Sequence, residues 1–167
     1  MAEKNQTLEI LKQALLLESR GRAFYRKVAE NAEDGAVKEF FQQMAAEEEK
    51  HVAVLTERFK EYHANNCFAA CNYETTGEVD TGTVISDELK SKIAAAGFEA
   101  AAVAAAMAFE ERAIALYADR ARAADNSEEK ALYEWLAEWE RGHLKMLADI
   151  DRDITEQAWS DNQFWPF

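Results

Sequence analysis

A shift of 92 positions, the distance from His51 to His143, lays the first half of the chain on the second without a gap. Leu11 meets Val103, Ala14 meets Ala106, Leu15 meets Met107, and Phe24-Tyr25 meets Leu116-Tyr117. Phe40-Phe41 meets Leu132-Tyr133, Met44-Ala45 meets Leu136-Ala137, and Leu55 meets Leu147. The polar partners are Glu18 with Glu110, Arg20 with Arg112, Glu48 with Glu140 and His51 with His143. The chain is two copies of one helical hairpin, to be paired into a bundle.

Four long segments carry the repeat. The first is expected to start near Thr7 as N-cap, with Leu8, Leu11, Leu15, Tyr25 and Val28 near one face. Asp34 is the expected N-cap of the second, which carries Val37, Phe40, Phe41, Met44, Leu55 and Phe59 to about His63. Residues 64–85 are rich in Asn, Thr and Gly and read as a long connection. Ser86, Asp87 and Glu88 signal a third helix, through an alanine-rich run to about Ala124, with Gly97 as a kink. The small side chains of that run let a neighbouring helix approach closely. Asp125 with Glu128, or Asn126 with Glu129, is expected to cap the fourth helix. That helix should run to about Ala158, so that 1–158 form the bundle and 159–167 an aromatic tail, packed on its own bundle or on a dimer partner.

The balance of the chain narrows its partners. With 167 residues, 49% of them apolar, one compact domain is expected, and one proline among abundant Ala, Glu, Leu and Lys favours an all-α chain. A net charge of −13 disfavours nucleic acid and anionic membranes and favours cations. The two cysteines are too few for a disulfide framework, and neither a signal peptide nor a long apolar span is present, so a cytoplasmic protein is expected.

The shared polar residues have a geometric meaning. Glu18 and Glu110 lie 14 residues before Ala32 and Ala124, and Glu48 and Glu140 lie 13 after Gly35 and Ser127. Each glutamate is thus about 20 Å from its own turn, level with its partner in the hairpin. His51 and His143, three residues after Glu48 and Glu140, share their face, which is the apolar one. Four carboxylates and two imidazoles are expected to meet inside the bundle, where unpaired ions cost several kcal/mol each, so positive charge must accompany them. Arg20, Arg22 and Arg112 are the nearest cationic side chains and candidates to brace the carboxylates. Two divalent cations would neutralise the four glutamates, and two glutamates plus two Glu-x-x-His pairs match the ligand set of ferritin-like di-iron and di-manganese proteins. A metal-free polar network is the structural alternative.

From about Leu8 to Ile154 the chain resembles the rubrerythrin branch of the ferritin-like superfamily, in "ESRGRAFYRKVAE", "EERAIALYADRA", "MAAEEEKH" and "LAEWERGH". The resemblance implies an all-α ferritin-like four-helix bundle of two hairpins joined by a long crossover, with a carboxylate-bridged centre of two iron ions; manganese or a mixed pair is the alternative. It assigns Glu18, Glu48, His51, Glu110, Glu140 and His143 as ligands, with Glu48 and Glu140 bridging, and Tyr25 and Tyr117 as tyrosines bonding the carboxylates. It also implies reduction of hydrogen peroxide or dioxygen. A rubredoxin module is absent, so electrons would come from an external donor protein such as a rubredoxin. The family often has a further glutamate where this chain has Ala113. Ferroxidase or iron-storage chemistry, and an inert metal in a structural bundle, are the alternative functions.

The remaining motifs are read more plainly. Glu47, Glu49, Glu111 and Glu138 are expected to be solvated charges. His63, Cys67 and Cys71 would share a second metal or redox face on a continuous helix, but the surrounding loop residues favour idle side chains. Trp135 and Trp139 read as packing or homodimer residues.

Overall fold

The computed structural model describes residues 2–71, 73, 86–95 and 97–161. Among them are five helices and no strand: α1 (Ala2–Asn31), α2 (Gly35–Asn65), α3 (Asp87–Ala95), α4 (Gly97–Ala123) and α5 (Ser127–Asp161). The protein is an all-α, ferritin-like bundle. The hairpins of the repeat are α1 with α2 and α4 with α5, each pair packed along its length.

The helix ends follow local chemistry, with two departures from expectation. The Asp34 carboxylate accepts from the backbone N–H groups of Ala36 and Val37 at 2.8 and 3.2 Å, capping α2 as expected. Asn126 takes the same role at α5, accepting from Glu128 and Glu129 at 2.9 Å each, which decides between the two capping candidates. Ser86 caps α3, accepting from the Leu89 N–H at 3.2 Å. Thr7 is not a cap: α1 begins at Ala2, because Ala2, Glu3, Lys4 and Gln6 are strong helix formers that carry the helix further back. Gly97 does more than kink a third helix. It opens α4, and α3 precedes it at an angle of 106°. A residue without a side chain is a weak link in a helix, and the break lets α3 lie across the end of the bundle. There Ile93 is fully buried, while Lys92 meets Asp34 at 3.2 Å and Lys90 meets Asp153 at 3.0 Å.

No single described helix is long and apolar enough to cross a membrane; α3 and α4 reach that length and apolarity only when taken together across their bend. Helix α5 continues three residues past the expected end at Ala158, and the tail beyond Asp161 lies outside the described residues, as does most of the long connection.

The apolar interior forms two clusters. One gathers Tyr25, Val28, Phe40, Phe41 and Met44 near the first hairpin's turn with Val103, Leu147 and Ile150 from the open end of the second. The other gathers Leu11, Ala14 and Leu55 with Tyr117, Leu132, Tyr133 and Leu136 near the second turn. The hairpins are therefore packed head to tail, and repeat-related residues occupy opposite ends. Of the alanine-rich run, Ala102 and Ala106 are buried in the packing, while Ala101, Ala104 and Ala105 face solvent. Because Asp34 and Asn126 do the same work at the two turns, Asp34→Ala and Asn126→Ala should each lower the unfolding free energy by about 1 kcal/mol. Chemical denaturation checks this, and an unchanged midpoint for either variant would contradict the capping role.

Candidate metal centre

Between the two apolar clusters lies a polar layer. Glu18 comes from α1, Glu48 and His51 from α2, Glu110 from α4, and Glu140 and His143 from α5. None of the six is more than 3% exposed. Helical spacing puts each Glu-x-x-His pair on the buried stripe of its helix, between Met44 and Leu55 on α2 and between Leu136 and Leu147 on α5. All six predicted ligand residues are brought together.

They form two overlapping groups, Glu18, Glu48, His51 and Glu140, and Glu48, Glu110, Glu140 and His143. Within each group one ligand atom per residue lies within 4.8 Å of the others. Glu48 and Glu140 belong to both groups, whereas Glu18 and Glu110 each belong to one. Both imidazoles turn Nδ1 inward. His51 Nδ1 is 2.9 Å from Glu140, 3.1 Å from Glu18 and 3.6 Å from Glu48. His143 Nδ1 is 3.0 Å from Glu140, 3.5 Å from Glu48 and 3.8 Å from Glu110. The tyrosines cross-link the hairpins: Tyr25 donates its hydroxyl to Glu110, and Tyr117 donates to Glu18. Each therefore holds the outer glutamate of the opposite hairpin.

Burial decides the protonation of this layer. It raises Glu18 from an ordinary 4.5 to about 7, against the bond to His51 and with the help of the Glu48 charge. Burial, then the charges of Glu140 and Glu48, raise Glu110 well above the carboxylate range. Glu48 and Glu140 feel the same burial, but the two adjacent histidines outweigh it and hold both below 4.5. Burial opposes charge on the imidazoles too, yet the surrounding carboxylates raise both well above 6.5. Both tyrosines are raised well above 10, first by burial and then by the neighbouring carboxylates, so they remain donors. Without metal, the layer approaches neutrality by keeping protons that a cation must displace.

Several residues fall elsewhere than expected. Arg20 and Arg112 are exposed, and Arg22 pairs with Glu49 at 2.7 Å on the surface, so none braces the buried carboxylates. Glu49, Glu111 and Glu138 are exposed as expected, but Glu47 is not a solvated charge. Its Oε2 lies 3.0 Å from His143 Nε2 and accepts from the Trp139 indole N–H at 2.9 Å. Trp139, read as a packing residue, is thus a polar partner as well. The signal lay in the repeat, where position 47 matches position 139. The second redox face does not form: α2 ends at Asn65, and Asn66, in the left-handed region at φ 56°, turns the chain aside. His63 stays on the helix, while Cys67 is exposed and Cys71 half-buried beyond it, both as free thiols.

The residues present fit a pair of divalent cations. Among the described residues, four carboxylates and two Nδ1 atoms converge with no lysine or arginine between them, and the buried Glu140 Oε1, despite its closeness to His51, takes no aligned hydrogen bond. Oxygen-rich ligation with imidazole suits iron or manganese rather than structural zinc.

The family model described as rubrerythrin matches residues 9–151. No curated protein and no solved structure gives a match to the chain.

The protonation pattern sets a pH dependence. The folded, metal-free protein binds more protons than the unfolded chain, at Glu18 between 4.5 and about 7 and at the histidines above 6.5. Its stability should therefore fall as pH rises from about 5 to about 8. Metal competes with those protons, so the stabilisation by added Fe²⁺ or Mn²⁺ should grow across the same range. Thermal unfolding of stripped and metal-saturated protein at several pH values checks both signs. A metal-free protein that gains stability toward pH 8 would contradict the buried, protonated layer.

Proposed function

The chain belongs to the rubrerythrin family, and on that premise we propose that it is a non-haem di-iron oxidoreductase. It reduces hydrogen peroxide, or dioxygen, with electrons from an external donor protein. The observation that carries the reading is the sharing of Glu48 and Glu140 by two otherwise separate Glu/His groups in one buried layer. Such sharing is what two adjacent cations with bridging carboxylates require.

In this reading Glu48 and Glu140 hold both ions, Glu18 and His51 complete one position, and Glu110 and His143 complete the other. When bound, the iron pair supplies two electrons, one from each ion, with no organic cofactor. Reducing one peroxide to two waters consumes those two electrons and two protons. The protein's part is to position charge and hold protons. The Tyr25 and Tyr117 hydroxyls stand against the outer carboxylates, ready to follow a change of charge there. The apolar clusters on either side exclude bulk water from the reacting layer. A rubredoxin-like protein with its reductase is the donor this reading implies.

Replacing Glu48 or Glu140 by Ala should reduce bound metal from two ions per chain toward none, whereas Glu138→Ala should leave it unchanged; elemental analysis distinguishes them. Reduced protein should react rapidly with hydrogen peroxide, be oxidised once, and stop until a rubredoxin-like donor and its reductase are supplied. Continued ferrous oxidation that deposits many irons per chain would move the function to iron storage at the same six residues. Slow reaction with both peroxide and oxygen would favour an inert metal, and Ala113→Glu, restoring the further glutamate of the family pattern, is then the variant to make.

A further inference from the structure

The two half-sites are alike on the side that faces the carboxylates and unlike on the other. Behind His143, Nε2 meets the Glu47 carboxylate at 3.0 Å. Behind His51 no such group lies among the described residues: its Nε2 is buried and finds no hydrogen-bond partner among them. The His51 ring instead stands edge-on to Trp139 and Trp135, with centroids 5.1 and 5.8 Å away. The repeat explains how this arises. Positions 47 and 139 correspond, and the first copy places a glutamate where the second places a tryptophan. The two side chains meet across the bundle, where the Trp139 indole N–H fixes Glu47 Oε2 at 2.9 Å. One substitution in one copy thus gives one histidine a carboxylate and the other an indole wall.

The chemistry of imidazole ligation makes this difference matter. A histidine bound to a metal through Nδ1 carries its proton on Nε2. A carboxylate that accepts that proton fixes the ring and makes the imidazole a stronger donor. Glu47 is placed to do this at His143, with its Oε2 3.0 Å from Nε2 and fixed from the other side by the Trp139 indole N–H. His51 has no such support.

We propose that Glu47, oriented by Trp139, is a positioning residue that makes the two metal positions unequal, so that the position served by His143 and Glu110 fills first and more tightly than the position served by His51 and Glu18. The inference rests on the di-metal reading of the six-residue layer. On this inference His51→Ala and His143→Ala have unequal effects on metal binding, although the repeat pairs the two residues.

The test is an anaerobic titration of the metal-stripped protein with Co²⁺, followed by its visible absorption. The unaltered chain should take up two ions in two resolved steps. In Glu47→Gln the stoichiometry should stay at two, while the tighter step weakens about tenfold to a hundredfold toward the weaker one. Glu47→Asp should restore part of the separation, and Glu138→Gln should change neither step. Two equal, indistinguishable steps in the unaltered chain would overturn the inference while leaving the di-metal centre standing. So would two steps that survive unchanged in Glu47→Gln. Failure to bind Co²⁺ in the layer at all would overturn the di-metal reading and this inference with it.

Discussion

The cost of burying four carboxylates in one layer is the constraint around which the bundle is built. Glu18, Glu48, Glu110 and Glu140 lie in one layer, almost wholly removed from water, and among the described residues no lysine or arginine joins them. Ions so placed cost several kcal/mol each unless positive charge, protons or hydrogen bonds offset them. Two histidines and two tyrosines supply what the protein can, and the raised Glu18 and Glu110 show that this falls short of full ionisation. A layer that is poor for stability when empty is well suited to hold cations. Its position at the middle of four helices, flanked by apolar clusters, keeps it from relaxing by exposure.

The head-to-tail pairing of the hairpins turns a local sequence pattern into a shared site. Each Glu-x-x-His pair needs only helical spacing, but a two-cation site needs both hairpins at once. Tyr25 and Tyr117 reach from one hairpin to the outer glutamate of the other, so docking the hairpins and assembling the site are the same event. Helix α3, made possible by the break before Gly97, closes the end at which the first hairpin turns. The inner face repeats the same residue types in both halves, whereas the outer face differs at Glu47 and Trp139.

Much of this was legible in the residues. The 92-position repeat, the level placement of the glutamates and the Glu-x-x-His spacing foretold that these six residues meet in one buried layer, because a helix fixes direction from spacing alone. The cap at Asp34 was equally readable. Glu47 was misread for the same reason: spacing places it beside the buried stripe and therefore toward solvent. Only the neighbouring helix, carrying Trp139 and His143, draws it inward, and such contacts have no local signature. The bend at Gly97 was read as a kink because a glycine marks a weak point without saying which way the chain turns. The start of α1 was read late because Thr7 has the chemistry of a cap, while the residues before it have the propensity to continue the helix.

The central claim is that Glu48 and Glu140 are shared by two transition-metal ions. Anomalous diffraction at the iron edge, from crystals of protein expressed with iron and purified without added metal, tests it most directly. Two strong peaks a few ångströms apart are predicted, each touching both Glu48 and Glu140, one beside His51 and the other beside His143. A metal-free layer, a single ion bound by one group alone, or iron found only at surface carboxylates would contradict it.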